Sequence, residues 1–120
     1  MITSLNTPGE TVIKCIPSRN HTELMFKHCL KIPIKINKRG KYEIIKVQGM
    51  KQFKGFDYNI PGDISSAAFF IGLTILSNNS KLLIKKVNIN KSRSGIIEIL
   101  KRMNAKIKLM NKKFYYGEEI

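Results

Sequence analysis

Pro61-Gly62-Asp63-Ile64-Ser65-Ser66-Ala67-Ala68-Phe69-Phe70 is the stretch on which the fold turns. Pro61 and Gly62 punctuate the chain. Asp63 stands where an N-cap belongs, with a carboxylate that can accept hydrogen bonds from the free N–H groups of a first helical turn. From Ile64 to Leu76 almost every residue is apolar or small. The run predicts a helix over 64–76, and a helix that is apolar all round must be covered on most sides. A domain core begins here.

Outward from this helix, helices and strands alternate. Upstream, Thr11–Ile16 reads as a strand. Asn20-His21-Thr22-Glu23 has the spacing of a capping box and predicts a helix to about Leu30. Ile32, Ile34 and Ile36 recur with the period of a strand. Lys38-Arg39-Gly40-Lys41 reads as a turn, Tyr42–Val47 as the next strand and Phe56–Ile60 as another. Downstream, Ser77-Asn78-Asn79-Ser80 ends the buried helix, Lys81–Val87 reads as a strand, and Ser94 caps a helix to Met103. Asn104 falls where a left-handed C-cap belongs, a conformation Asn tolerates. Lys106–Met110 and Lys113–Tyr116 read as closing strands.

The order contains a repeat. A strand, a Ser-Arg loop, a capped helix and a strand occur at 11–36 (Ser18-Arg19-Asn20) and again at 82–109 (Ser92-Arg93-Ser94). The expected fold class is α/β (α+β), made of repeated strand-helix-strand units. Residues 1–10 lead straight into a strand, Tyr115–Ile120 stop without a closing element, and the apolar helix asks for more cover than these elements supply. The expectation is a piece of a larger protein.

The 120 residues suffice for one modest domain, and 42% hydrophobic with 25% charged residues is globular composition. No apolar run reaches the length of a membrane span. Residues 1–9 lack the charged-then-apolar pattern of a secretion signal, which makes a cytoplasmic location the default. The net charge of +14 suits nucleic acid, an anionic membrane surface or phosphorylated small molecules. However, the lysines are scattered rather than massed, and Lys, Ile and Asn are abundant together, as AT-rich codons would make them. A small basic nucleic-acid-binding protein is the alternative reading; it lacks a basic patch with interleaved aromatics. Cys15 and Cys29 read as reduced core residues. With His21 and His28 they match no standard zinc spacing.

Ser18-Arg19-Asn20 lies between a strand end and a helix start, where free N–H groups and the positive helix end favour an anion. Arg19 adds a planar fork of donors suited to phosphate, and Ser18 a hydroxyl. The same segment serves equally as a plain helix cap beside a solvated arginine. Ser92-Arg93-Ser94-Gly95 repeats the pattern, and there a capped helix with a packing glycine is the simpler reading. His21 and His28 have no acid, base or nucleophile partner at a fixed spacing. No phosphate-binding glycine loop, carboxylate pair or nucleophile motif is present.

Three motifs in this order resemble one family. Ser18-Arg19-Asn20-His21-Thr22-Glu23 resembles the Ser-Arg-Asp-His-Thr-Glu segment of the bacterial EPSP synthases (3-phosphoshikimate 1-carboxyvinyltransferases). Pro61–Phe70 looks like the Pro-Gly-Asp-Ile-Ser-Ser-Ala-Ala-Phe-Phe signature of that family. Asn90-Lys91-Ser92-Arg93-Ser94-Gly95-Ile96 resembles its Asn-Pro-Thr-Arg-Thr-Gly-Ile, and Met103-Asn104-Ala105 its Met-Gly-Ala. The resemblance implies a several-fold longer enzyme of two domains, each of three strand-helix repeats. Residues 1–60 would be the last repeat of the N-terminal domain and 61–120 the first of the C-terminal domain. It also implies transfer of the enolpyruvyl group of phosphoenolpyruvate to the 5-hydroxyl of shikimate 3-phosphate, on the route to chorismate and the aromatic amino acids, in a cleft that closes between the domains. The implied complete enzyme is monomeric and uses no metal or organic cofactor. Carried over by position, Arg19 and Ser18 contact shikimate 3-phosphate. None of the catalytic residues falls in this stretch, so the chain alone is expected to be inactive. Asn20 departs from the family's Asp, Lys91 from its Pro and Asn104 from its Gly.

Overall fold

In the computed structural model, which describes residues 1–120, the alternating segments around Ile36 and Ile45 fold into a hairpin. Strand β2 (Ile34–Arg39) and strand β3 (Tyr42–Gln48) pair antiparallel from Ile34–Val47 to Arg39–Tyr42. Gly40 takes the first central position of the two-residue turn with φ +57°, the positive angle such hairpins need and glycine meets without strain. Strand β1 (Glu10–Cys15) adds to the other side of β3. The sheet order is β1-β3-β2, so β1 and β2 run parallel with β3 antiparallel between them. Residues between β1 and β2 carry α1 (His21–Leu24), which continues as a single π-helical turn, Met25–Cys29.

These elements belong to the first of two compact units, Met1–Tyr58; the second is Asn59–Ile120. Phe26, Ile32, Ile45 and Val47 are buried at the centre of the first unit, and Leu5, Ile13, Cys15, Leu30 and Ile34 pack around them. The helix predicted to Leu30 is present, but its second half is wound as π. The capping box is not formed: Asn20 ends the helix through its backbone carbonyl, which accepts from Leu24 N–H at 3.0 Å, and its side chain makes no capping bond. Lys31 follows with φ +56°, and Ile32 N–H reaches back to Phe26 carbonyl at 2.9 Å. That is a Schellman-like end, wider by one residue because the turn before it is π.

In the second unit, helix α2 (Ile64–Leu76) has the bounds the sequence predicts. Helix α3 (Gly95–Arg102) follows, and a short hairpin closes the unit as β4 (Phe114–Tyr115) and β5 (Glu118–Glu119). Asn104 takes φ +65°; its N–H bonds to the Lys101 carbonyl and that of Ala105 to the Leu100 carbonyl, both at 3.0 Å. This is the left-handed end expected of it, in full Schellman form. The core is small: Ile64, Ala67 and Ile97 are buried, with Ile71, Val87, Ile89, Ile96 and Ile107 against them.

Three predicted strands are not formed. Phe56–Ile60, Lys81–Val87 and Lys106–Met110 contain no strand, and the one pairing among them is the isolated parallel bridge of Val87 with Gly62. A strand exists only by pairing with another, and these segments meet no neighbouring ladder. Leu82, Leu83 and Ile84 are exposed. The repeat is therefore complete in its first copy, while the second keeps the loop and helix without the flanking strands. The cover expected around α2 is also incomplete, since Phe69, Phe70, Leu73 and Leu76 are exposed.

Two stability changes follow from this packing. Phe26→Ala should cost about 3–5 kcal/mol, whereas Phe69→Ala, at a side chain 80% exposed, should stay within about 0.5 kcal/mol. Urea unfolding followed by circular dichroism distinguishes them, and equal losses would show the core to be misplaced. By the same measurement Lys31→Gly should raise stability by about 1 kcal/mol, because a left-handed L-residue is strained there; a loss would show that Lys31 holds that angle without strain.

Candidate functional site

The side chains that could meet an anion sit at three junctions where a loop enters a helix. The three differ in how the first helical turn is closed.

At the α2 junction Asp63 adopts an extended conformation, φ −78° and ψ 124°, which turns its side chain over the helix end. Its Oδ1 accepts the Ser65 N–H at 3.1 Å, and its Oδ2 accepts from the Ser66 hydroxyl at 3.3 Å. An Nη2 proton of Arg93 reaches Oδ1 at 3.0 Å, and Nη2 also donates to Ser65 Oγ at 2.6 Å. The Ser65 N–H bond, more than any other influence, holds the Asp63 carboxyl below its ordinary value; partial desolvation opposes it and Arg93 assists. This helix end is already filled by a carboxylate of its own chain.

At the α3 junction the loop 88–94 is held by side-chain amides. Asn90 N–H donates to Asn88 Oδ1 at 2.8 Å, and Ser92 N–H to Asn90 Oδ1 at 2.9 Å. The Asn90 carbonyl takes the N–H groups of Arg93 and Ser94 at 2.8 and 3.0 Å. Ser94 makes no side-chain cap, and a Cβ on Gly95 would meet no atom within 4 Å. The simpler reading of Ser92-Arg93-Ser94-Gly95, a serine cap and a packing glycine, is thus corrected. The loop's shape comes from Asn88 and Asn90, and Arg93 turns away to α2.

At the α1 junction Ser18, Arg19 and Asn20 are exposed on the irregular segment that joins β1 to the helix. No side chain caps this helix through Asn20. Arg19, unlike Arg93, is engaged in no ion pair or side-chain hydrogen bond. Of the two Ser-Arg loops in the repeat, this one leaves its guanidinium available. His21 and His28 lie half-buried along the same helical run. Cys15 and Cys29 are free thiols; burial pushes the Cys29 thiol up, against the opposing charge of Lys31. A cavity of about 770 Å³ in the second unit is lined by Ile60, Leu83, Ile84, Lys85, Lys113 and Tyr115 among others. It follows the unpaired segments and contains neither Ser18 nor Arg19.

The family model of EPSP synthase (3-phosphoshikimate 1-carboxyvinyltransferase) matches residues 1–118. The chain belongs to the EPSP synthase family. The 3-phosphoshikimate 1-carboxyvinyltransferase of Petrotoga mobilis is 38% identical over 122 residues, covering 100% of this chain and 27% of that protein. The enzyme of the same name from Thermoanaerobacter sp. strain X514 is 41% identical over the same length and coverage. An EPSP synthase structure from Acinetobacter baumannii superposes with a TM-score of 0.80 at 32% identity, over 98% of this chain and 26% of that one. The chain thus spans about a quarter of the length of the EPSP synthases it matches. Its fold is the mixed α/β fold of that family, and none of these matches is to a nucleic-acid-binding protein. No helix is long and apolar enough to cross a membrane.

Sequence reasoning identified Asp63 as a cap but missed its pairing with Arg93. Thirty residues separate the two, and no local spacing links them; the only sequence signal was the second Ser-Arg pair, which reads as a local cap. Because the folded-state value of Asp63 is depressed, its contribution to α2 is fully present above the ordinary carboxylate value of about 3.9. It is lost as pH falls through the lower folded value. Protection of the Ser65 amide against exchange, taken relative to its intrinsic rate by NMR from about pH 6 downward, should persist past about pH 4 and fall only below it. Loss of protection above about pH 4 would show that the carboxylate is not held.

Proposed function

We propose that this chain forms part of an enzyme that transfers the enolpyruvyl group of phosphoenolpyruvate to the 5-hydroxyl of shikimate 3-phosphate with release of phosphate. In it, Ser18 and Arg19 bind shikimate 3-phosphate. The observation that carries this reading is the exposed Arg19 guanidinium, engaged by no side chain of its own molecule, beside a helix start that Asn20 leaves without a side-chain cap. A planar fork of N–H donors at the positive end of a helix suits a phosphate dianion. Family membership supplies the substrate.

Their work is binding and orientation. Arg19 neutralises and grips the phosphate, and Ser18 adds a neutral hydrogen bond that helps fix its direction. The groups that move protons and hold phosphoenolpyruvate are supplied by other segments of the family fold, and no metal or organic cofactor enters the reaction. On this reading residues 1–60 are the last repeat of the N-terminal domain and 61–120 the first repeat of the C-terminal one. The complete enzyme works as a monomer in the cytoplasm.

Arg19→Ala should weaken binding of shikimate 3-phosphate by about 1.5–3 kcal/mol, the usual worth of a charged hydrogen bond, in a titration of the 120-residue chain followed by 31P NMR. Unchanged affinity would remove Arg19 from the site. The chain given both substrates should release no phosphate, and clear turnover would contradict the division of labour described above.

A further inference from the structure

Glu118, with 5% exposure, is the one charged residue among the buried ones, and the substrate-binding role proposed for Ser18 and Arg19 does not use it. Its Oε2 accepts from Asn90 Nδ2 at 2.7 Å and from Asn88 Nδ2 at 3.1 Å. The backbone beside it ties the same loop down, since Ile89 N–H donates to the Glu119 carbonyl at 2.8 Å. Asn90 is the hub: one end of its amide bonds to Glu118, the other takes Ser92 N–H, and its carbonyl takes the N–H groups of Arg93 and Ser94. Arg93 then spans to Asp63 and Ser65 at the first turn of α2. A second link runs alongside, with Gly62 N–H donating to the Lys86 carbonyl at 2.7 Å and Asn88 N–H to the Gly62 carbonyl at 2.9 Å.

We propose that Arg93 is a positioning residue that neutralises and orients the Asp63 carboxylate, and that Glu118 anchors Arg93 through Asn90. The parts come from three segments far apart in sequence, 61–66, 88–94 and 118–119, each held by the next. A lone Asp63 would still cap α2, but it would leave a net negative charge at that edge. With Arg93 seated on Oδ1 the edge is neutral, and the Ser65 hydroxyl, which accepts from Arg93, directs its own proton elsewhere.

The test is made within the second unit and needs no substrate, so its failure would leave the Arg19 reading untouched. In the 120-residue chain the Asp63 carboxyl is titrated by 13C NMR. It should titrate below the ordinary carboxylate range, move upward in Arg93→Met, and move upward in Asn90→Ala, where Arg93 is still present but its loop is released. Arg93→Lys should recover part of the shift, since it restores the charge without the fork. An ordinary value in the unaltered chain, or no movement in Arg93→Met, overturns the role of Arg93. No movement in Asn90→Ala overturns the anchor. Should the variants unfold, the unaltered chain still decides. The Nη protons of Arg93 should rotate slowly at neutral pH and coalesce as Asp63 is protonated, whereas fast rotation at neutral pH overturns the proposal.

Discussion

The second unit depends on one carboxylate. Asp63 closes the first turn of α2 through Ser65 and Ser66 and receives Arg93 from a loop thirty residues on. Burial alone could not fix this geometry, because the core beneath it has only three buried hydrophobic side chains, Ile64, Ala67 and Ile97. With so little apolar surface removed from water, direction has to come from hydrogen bonds. The first unit is the opposite case. There a three-stranded sheet buries Ile45 and Val47 under Phe26, and the polar Ser18-Arg19 loop rests on that scaffold without being tied by its side chains.

The same contrast explains how the two Ser-Arg loops differ in what engages their arginines. Both precede a helix in a repeated unit, and neither Asn20 nor Ser94 caps its helix by side chain. In the second unit the arginine is engaged by Asp63. The first unit presents no comparable carboxylate to Arg19, so its guanidinium faces solvent. A repeat can therefore keep its loop and helix while one copy leaves its arginine exposed and the other ties it into the fold.

Elements set by local chemistry were legible in the sequence: α2 between Asp63 and Ser77, the β2–β3 hairpin about Gly40, and the left-handed Asn104. Each needs only its own residues and near neighbours. The strands predicted at 56–60, 81–87 and 106–110 were not, because alternation marks a segment fit to be a strand and cannot supply a partner. The π turn at Met25–Cys29 left no mark in the periodicity, and we have no physical account of why it forms there. Ser18 and Arg19 read in the sequence as a loop suited to an anion, and the structure places both exposed between β1 and α1. The Arg93–Asp63 pair was hidden because it joins segments brought together by tertiary contacts, the bridge of Gly62 with Val87 and the packing of Ile64 and Ala67 on Ile97.

The central claim is that of the helix ends at Asn20 and Asp63, only the first is open to an anion. Mapping amide shifts by 15N NMR, as the 120-residue chain is titrated with shikimate 3-phosphate, tests it most directly. Shifts are expected to centre on 18–23, with 64–67 unmoved because Asp63 already occupies that end. Shifts centred on 64–67, or none at 18–23, would contradict it.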